Sequence, residues 1–281
     1  MLLLDFPRAD RPEGRSCKYK TRPSCSIIPL LRSTMSLARA TLVTVQALCN
    51  QLACTPPNPS PSKGRYHTDE LYILQIAPLI FKVCLIAIAC SRVQQPPQVH
   101  QMILWACAAF EILFYVGTII PTALPAPFAS SPLCFTSQPN IRFTPFFAIG
   151  VVAVVLGTYI RLDCFHTLGQ LFTFDLTIHP EHKLITSRFY AYVRHPSYTG
   201  SILLIAGLAF SHLTEGSWLT ECGPLRAPGS ATIVWVLWWM WTLAVAVSRA
   251  EAEDKQMRKL FHEEWETYAA HVPWWFLPGL I

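Results

Sequence analysis

Segment 182–200 contains the densest group of side chains that could do chemistry. It reads His-Lys-Leu-Ile-Thr-Ser-Arg-Phe-Tyr-Ala-Tyr-Val-Arg-His-Pro-Ser-Tyr-Thr-Gly and lies between two apolar stretches. Arg194 and His195 supply several hydrogen-bond donors. Pro196 is typical of the first residue of a helix, and the free N–H groups at a helix N-terminus favour an anionic group. The segment is therefore a candidate site for a negatively charged ligand.

Three tyrosines of this segment offer flat faces on which a base or a sulfonium could stack: Tyr190, Tyr192 and Tyr198. An aromatic and basic belt is also common where membrane proteins meet water, and that interpretation needs no function. The block Arg194-His-Pro-Ser-Tyr-x-Gly200 is more specific than any single residue within it.

A second group, Arg249-Ala-Glu-Ala-Glu-Asp254, directly follows the last apolar stretch. Arg249 and Glu253 are four residues apart and would share one face of a helix. Such a pair is often an ordinary solvated ion pair. Here it adjoins the bilayer, where charge is costly and seldom incidental, which favours a functional role.

The elements that must position these residues are membrane helices. The chain has 281 residues, of which 52% are hydrophobic and 14% charged, whereas soluble domains have about 25% charged residues. The apolar residues are grouped in blocks of membrane-spanning length. We predict an all-α polytopic membrane protein with about six spans, near 36–54, 71–90, 101–120, 143–160, 200–213 and 230–248. Gly150 and Gly157 are expected to permit close helix packing.

Composition also excludes several classes of function. No run of lysine and arginine with interleaved aromatic residues suggests a nucleic-acid partner. The ten cysteines include no CxxC pair, so we predict no metal site. Several cysteines lie in apolar stretches, where we expect them to act as small hydrophobic residues: Cys49, Cys84, Cys90 and Cys107.

Three regions are predicted along the chain. Residues 1–34 are expected to form a disordered extension, and either Met1 or Met35 could be the translation start. Residues 35–160 should form the N-terminal transmembrane helices, and 161–281 the core that carries both polar groups. Placement of lysine and arginine orients this arrangement. With a cytosolic N-terminus and six spans, segment 161–199 and the C-terminal helix lie on the cytosolic face, opposite the loop that follows residue 54.

Four blocks together resemble the isoprenylcysteine carboxyl methyltransferase family. They are Leu168-Gly-x-x-Phe172, His182-x-Leu-Ile-Thr-Ser, Arg194-His-Pro-Ser-Tyr-Thr-Gly200, and Arg249-x-x-x-Glu253 followed by Glu264-x-x-x-Tyr268 and Val272-Pro. The resemblance covers about 155–281, and a weaker similarity is present at Thr55-Pro-Pro-Asn-Pro. The combination is specific, whereas Arg-His-Pro-x-Tyr alone occurs in other membrane enzymes.

The resemblance implies a transfer of methyl from S-adenosylmethionine to the C-terminal carboxylate of prenylated, CaaX-processed proteins at the endoplasmic reticulum membrane. Arg249 would bind this substrate and act as the catalytic residue. The implied cofactor-binding residues are His182, Lys183, Leu184, Ile185, Tyr190, His195, Pro196, Ser197, Tyr198 and Glu253. The family usually has glycine where this chain has Arg188, whose bulky cation is expected to alter a turn or crowd the adenosine, and it often has glycine where this chain has His262.

Three alternative functions remain open from the sequence. A sterol reductase would share Arg249, Glu253, Asp254, Trp265, Tyr268 and Val272-Pro273 in loose form. The second alternative is a phospholipid N-methyltransferase, which belongs to a closely related class of enzyme. An inactive paralogue that binds prenylated tails is the third.

Overall fold

The computed structural model describes residues 27–58, 96–119, 134, 140–174 and 182–280. Regular structure in these ranges is helical, which agrees with the predicted all-α class. The helices are α1 (Ile27–Cys54), α2 (Pro96–Ile119), α3 (Pro145–Leu168), α4 (Pro196–His212), α5 (Trp218–Glu221), α6 (Ser230–Phe261) and α7 (Glu263–His271). Short 3-10 turns occupy Gly169–Leu171 and Arg188–Ala191.

Within the described ranges, three stretches are long and apolar enough to cross a membrane: His100–Gly117, Pro145–Leu171 and Ser230–Phe261. They coincide with the third, fourth and sixth predicted spans. Helix α1 begins at Ile27, so it extends into the segment expected to be disordered. The predicted span at 71–90 lies outside the described residues. At 17 residues, or about 25 Å, α4 is short for a full crossing.

Helices α3 and α4 pack in direct backbone contact at glycines. A Cβ on Gly157 would lie 2.5 Å from the carbonyl oxygen of Gly200, and one on Gly207 would lie 2.5 Å from that of Gly150. No larger side chain fits at such distances without moving a helix. The predicted role of Gly150 and Gly157 in close packing is confirmed, and this contact places the start of α4 beside the end of α3.

The direction of α1 differs from the sequence-based prediction. The Asn58 side chain donates hydrogen bonds to the carbonyls of Gly169 (2.7 Å) and Phe172 (2.9 Å), and Arg161 Nε donates to the carbonyl of Ala53 at 2.8 Å. Residues 53–58 therefore lie at the same end of the bundle as segment 161–199. The predicted placement of the loop after residue 54 on the opposite face is wrong for residues 55–58, because polar contacts join it to the end of α3.

A buried ion pair fastens the opposite end of the bundle. Arg39 of α1 donates to both carboxylate oxygens of Glu111 on α2, at 2.9 and 3.1 Å, and its guanidinium lies 4.2 Å from the centre of the Phe147 ring. Further bonds reach the carbonyls of Arg142 and Ser211. Each of the helices α1 to α4 therefore supplies a residue that contacts the Arg39–Glu111 ion pair or is one of its members. Two charges are tolerated in this apolar interior because they are paired.

A disulfide joins Cys134 and Cys222 at this same end. Cys222 is the C-cap of α5, whose first residue, Trp218, donates its backbone N–H to Glu111. The sequence did not reveal this pair, since the two cysteines are 88 residues apart. Cys107 is buried, as expected for a cysteine that packs as a hydrophobic residue. We call this end, with Arg142, Ser211 and Cys222, the disulfide end.

Candidate functional site

His195 lies between two carboxylates at the end of the bundle opposite the disulfide. Its Nδ1 is 3.2 Å from Glu253 Oε2, and its Nε2 is 2.8 Å from Asp254 Oδ1. Only 5% of the His195 side chain is exposed, against 27% for Glu253. The sequence predicted that His195 and Glu253 share one site although they are 58 residues apart, and the structure brings them into contact.

Arg249 joins the same cluster through Tyr198. The Tyr198 hydroxyl donates to Glu253 Oε1 and accepts a bond from Arg249 Nε at 3.0 Å. Arg249 also donates to the carbonyl of Phe174 at 2.6 Å. A continuous polar path therefore runs from His195 through Glu253 and Tyr198 to Arg249.

Two helices position these groups. Helix α6 continues without a break from its apolar stretch to Phe261, so Arg249 and Glu253 lie one turn apart on one face. Helix α4 begins at Pro196, as predicted, with His195 as its N-cap. Arg161 Nη1 holds this start by donating to the Ser197 carbonyl at 3.3 Å and to the Ser201 hydroxyl at 2.5 Å.

The C-terminal segment lies alongside the same helix start. The backbone N–H groups of Arg194 and His195 donate to the carbonyls of Trp274 and Trp275 at 2.9 and 3.0 Å. The Trp275 indole donates to Asp254 Oδ2 at 3.0 Å, and Arg194 Nη1 lies 2.8 Å from the same oxygen. The His195 backbone and ring are thus fixed by residues from α6 and from the chain terminus.

The two carboxylates keep His195 charged. Burial works against the imidazolium, but hydrogen bonds to Asp254 and Glu253 outweigh it and raise the pKa of His195 to about 9. At neutral pH both ring nitrogens therefore carry protons and donate. The site combines one cationic ring, two carboxylates and the Arg249 guanidinium in a small volume.

The remaining predicted site residues form a second group. Leu184 packs beside Trp265, Tyr268 and Val272 of the last helix and its continuation. The His182 ring centre is 6.1 Å from that of Phe261, and Lys183 is exposed. Leu184 and His182 thus pack against the last two helices, whereas His195, Tyr198 and Glu253 contact one another, so the structure shows the predicted cofactor-binding set as two groups.

Tyr190 and Tyr268 connect the two parts. The Tyr268 hydroxyl donates to the Tyr190 carbonyl at 2.7 Å. Beside them lies an open cavity of about 490 Å³, lined by Leu184, Thr186, Ala191, Glu264, Thr267, Tyr268, His271 and Val272. None of these lining residues belongs to the His195–Glu253 pair. The cavity lies between segment 182–191 and the last helix with its continuation.

Sequence reasoning missed several residues that shape the site. Asp254 was part of the second polar group but was not predicted as a site residue, yet it binds His195, Arg194 and Trp275. Its position next to Glu253, at the end of an apolar helix, was the available signal. Nothing in the sequence pointed to the carbonyl of Phe174 or to Trp275.

The two departures from the family pattern have one conformational feature in common. Among the described residues, Arg188 (φ 58°) and His262 (φ 45°) are the non-glycine residues with a positive φ. This conformation is easy for glycine and unfavourable for side chains with a Cβ. Both residues therefore adopt a left-handed backbone conformation that is typical of glycine. His262 forms the corner between α6 and α7.

Comparison with known proteins gives a consistent result. A sequence model described as the isoprenylcysteine carboxyl methyltransferase family matches residues 148–222. The protein-S-isoprenylcysteine O-methyltransferase B of Arabidopsis thaliana is 28% identical over 126 residues, which cover 44% of this chain and 55% of that protein.

Two further relatives match a similar share of the chain. A probable protein-S-isoprenylcysteine O-methyltransferase of Oryza sativa subsp. indica is 32% identical over 126 residues, or 44% of this chain and 57% of the relative. The Homo sapiens protein-S-isoprenylcysteine O-methyltransferase is 28% identical over 128 residues, 44% of this chain and 38% of its own length. No solved structure matches the chain.

The matches thus span little more than half of the plant relatives and less than half of this chain. The matched family region contains α4 and the His195 end of the site, where the predicted motif residues meet. Through this region the chain is similar to the isoprenylcysteine carboxyl methyltransferase family.

Proposed function

We propose that the chain transfers a methyl group from S-adenosylmethionine to the C-terminal carboxylate of a prenylated cysteine. The observation that carries this proposal is the link from Arg249 through the Tyr198 hydroxyl to Glu253. It places a guanidinium for an anionic substrate and a carboxylate for a cationic group side by side at the border of an apolar helix. The names of the relatives support the same reaction.

The residues present fit the proposed cofactor. Although Glu253 is bound to His195 and Tyr198, 27% of its side chain is exposed. A carboxylate has about four acceptor positions, so Glu253 retains capacity for the amino group of the cofactor's methionine end. We propose that His182 to Ile185, Tyr190 and His195 to Tyr198 form the remaining contacts. When bound, S-adenosylmethionine would supply a methyl group on a sulfonium.

The role of Arg249 is to orient the substrate carboxylate. Its present partners include a neutral phenol and a neutral carbonyl, and a carboxylate is a stronger acceptor than either because it is charged. An α-carboxylate has a pKa of about 3.5 and is already ionised at neutral pH, so the reaction needs no general base. What the site supplies is alignment and exclusion of water.

The membrane setting suits a prenylated substrate. Each CH₂ of an isoprenoid gains about 0.8 kcal/mol on leaving water, so the lipid chain should remain in the bilayer while its carboxylate reaches Arg249. Prenylated proteins would then be the partners of this chain.

We further propose that the site faces the cytosol, with the endoplasmic reticulum as the host membrane. The end with the site carries Arg161, Lys183, Arg188, Arg194, Arg249, Lys255, Arg258 and Lys259, an excess typical of cytosolic segments. The Cys134–Cys222 bond lies at the other end, and disulfides persist in oxidising compartments such as the lumen. Both features support the same orientation.

A methyl-transfer assay tests the reaction. Membranes that contain the chain are incubated with labelled S-adenosylmethionine and N-acetyl farnesylcysteine, and base-labile methyl ester is counted. Label in a phospholipid headgroup would instead identify an N-methyltransferase. Cofactor binding without any methyl ester would indicate an inactive prenyl-binding protein. If the chain does not bind the cofactor at all, the proposal is contradicted, and the sterol reductase alternative becomes the one to test.

Thiol labelling in sealed microsomes tests the orientation. After reduction by a membrane-permeant reagent, Cys134 and Cys222 should react with a permeant maleimide and resist an impermeant one. Labelling of both by the impermeant reagent in intact microsomes would reverse the proposed orientation.

A further inference from the structure

Arg188 occupies a backbone conformation that its side chain disfavours. Its φ of 58° lies in the left-handed region, where a Cβ crowds the neighbouring carbonyl. Such a residue persists only where surrounding contacts determine its conformation. The local hydrogen bonds of the turn, from Tyr190 N–H to the Ser187 carbonyl and from Val193 N–H to the Phe189 carbonyl, do not involve the Arg188 side chain.

The contact that holds Arg188 is an ion pair with Asp163 of α3. Arg188 Nε is 3.1 Å from Asp163 Oδ2, and its Nη2 binds the second oxygen, Oδ1. The geometry is bidentate, which fixes the direction of the guanidinium as well as its distance. Asp163 is 5% exposed and Arg188 is 53% exposed. The carboxylate is therefore buried and needs this partner, while the guanidinium remains partly in water.

The same turn carries Tyr190, a proposed cofactor contact. The Tyr190 side chain hydrogen-bonds to Cys164, the residue next to Asp163 on α3. Its carbonyl accepts the bond from Tyr268 described above. Arg188 and Tyr190 thus attach one turn to two consecutive residues of α3, and the turn leads directly to His195.

We propose that Arg188 and Asp163 are a positioning pair for this site. Their ion pair holds the turn 187–193 in its left-handed conformation, and thereby sets Tyr190 and the approach to His195 for cofactor binding. The proposal rests on the proposed function, since it assigns the turn to the cofactor. A glycine would adopt this turn without any such contact, because it has no Cβ. At Arg188 the bidentate ion pair takes over this role by holding the disfavoured conformation.

A reciprocal rescue tests the pair in the full chain purified in detergent. Arg188→Gly frees the backbone but leaves the buried Asp163 carboxylate without its counter-charge. Asp163→Asn keeps the shape but weakens the contact that holds Arg188. We expect each single variant to weaken S-adenosylhomocysteine binding by about tenfold. The double variant should bind within about threefold of the unaltered chain, because glycine adopts the turn freely and no buried charge remains.

Two readouts separate positioning from general stability. Isothermal calorimetry measures the Kd, and hydrogen exchange measures protection of residues 187–193. Both should worsen in the single variants and recover in the double variant. His262→Gly is the matched control, because it relaxes the second non-glycine residue with a positive φ among the described residues, at a place without Asp163, and should leave the Kd unchanged.

Three results would overturn the proposal. The first is single variants that unfold at lower temperature yet bind with the original Kd. The second is a double variant no better than Arg188→Gly. The third is unchanged exchange of 187–193 in both single variants. If the unaltered chain itself fails to bind S-adenosylhomocysteine, the proposed function fails, and the exchange measurements still decide whether the pair holds the turn.

Discussion

Arg249 Nε donates a hydrogen bond of 3.0 Å to the hydroxyl of Tyr198, a residue 51 positions earlier in the chain. The same hydroxyl donates to Glu253. The Tyr198 hydroxyl thus links the proposed substrate-binding cation to the proposed cofactor-binding anion. This arrangement makes the tyrosine hydroxyl, rather than its ring, the feature to test first.

Tyr198→Phe should lower kcat/KM for methyl transfer by about tenfold, because one charged hydrogen bond on each side of the hydroxyl is lost. The fold should be retained, since the ring still packs against Phe276. Tyr192→Phe is the matched control, as that side chain is 67% exposed. Equal activity of the two variants would remove the hydroxyl from the mechanism.

Arg249→Ala should abolish turnover while leaving cofactor binding largely intact. The substrate carboxylate would lose its only proposed partner, a loss of several kcal/mol for a desolvated charge. Calorimetry with S-adenosylhomocysteine and the methyl ester assay measure the two effects separately. Arg258 lies on the same helix as Arg249 and forms an exposed ion pair with Glu266 of α7, so Arg258→Ala should be nearly neutral. Retention of the original kcat/KM in Arg249→Ala would show that another group binds the substrate.

Glu253→Gln should weaken cofactor binding by about tenfold or more, given 1.5–3 kcal/mol for a charged hydrogen bond. His195→Ala should act similarly, because the imidazolium orients Glu253 at 3.2 Å. The two effects should be less than additive in the double variant, since the residues contact each other. Fully additive losses in Kd would mean that they act on separate ligands.

Stability and cofactor affinity should fall at alkaline pH. The pKa of His195 is raised to about 9 by Asp254 and Glu253 against the effect of burial. The imidazolium's contribution is therefore complete below its ordinary value of about 6.5 and is lost as pH rises through about 9. Thermal unfolding and calorimetry between pH 7 and 10 measure this loss. A His195→Gln variant with the same decline would assign it to another group.

Gly157→Leu should destabilise the bundle strongly and reduce the yield of folded protein. Its Cβ would already lie 2.5 Å from the Gly200 carbonyl, so α3 and α4 must separate. Separation would move Arg161 away from Ser197 and disturb the start of α4. Val152→Leu is the matched control for added volume, because that side chain lies on the same helix and is 66% exposed. A Gly157→Leu protein with unchanged thermal unfolding would contradict the packing.

The sequence by itself determined the helical membrane class, the block of residues at 194–200, the Arg249–Glu253 spacing and the close packing at Gly157. Each of these is local: apolar block length, helical periodicity, a proline at a helix start and small side chains can all be read within a few residues. The pairing of His195 with Glu253 was also predicted, because the charge bias assigned both to one face.

Only the tertiary structure decided the direction of α1, the Cys134–Cys222 bond, the use of Asp254 as the second partner of His195, and the division of the predicted cofactor residues into two groups. It also showed that Arg188 has a positive φ and forms an ion pair with Asp163. These features depend on contacts between residues distant in sequence, such as Asn58 with Gly169. A backbone carbonyl, a buried carboxylate or a distant cysteine leaves no periodic trace in the sequence, because its partner is selected by packing in three dimensions.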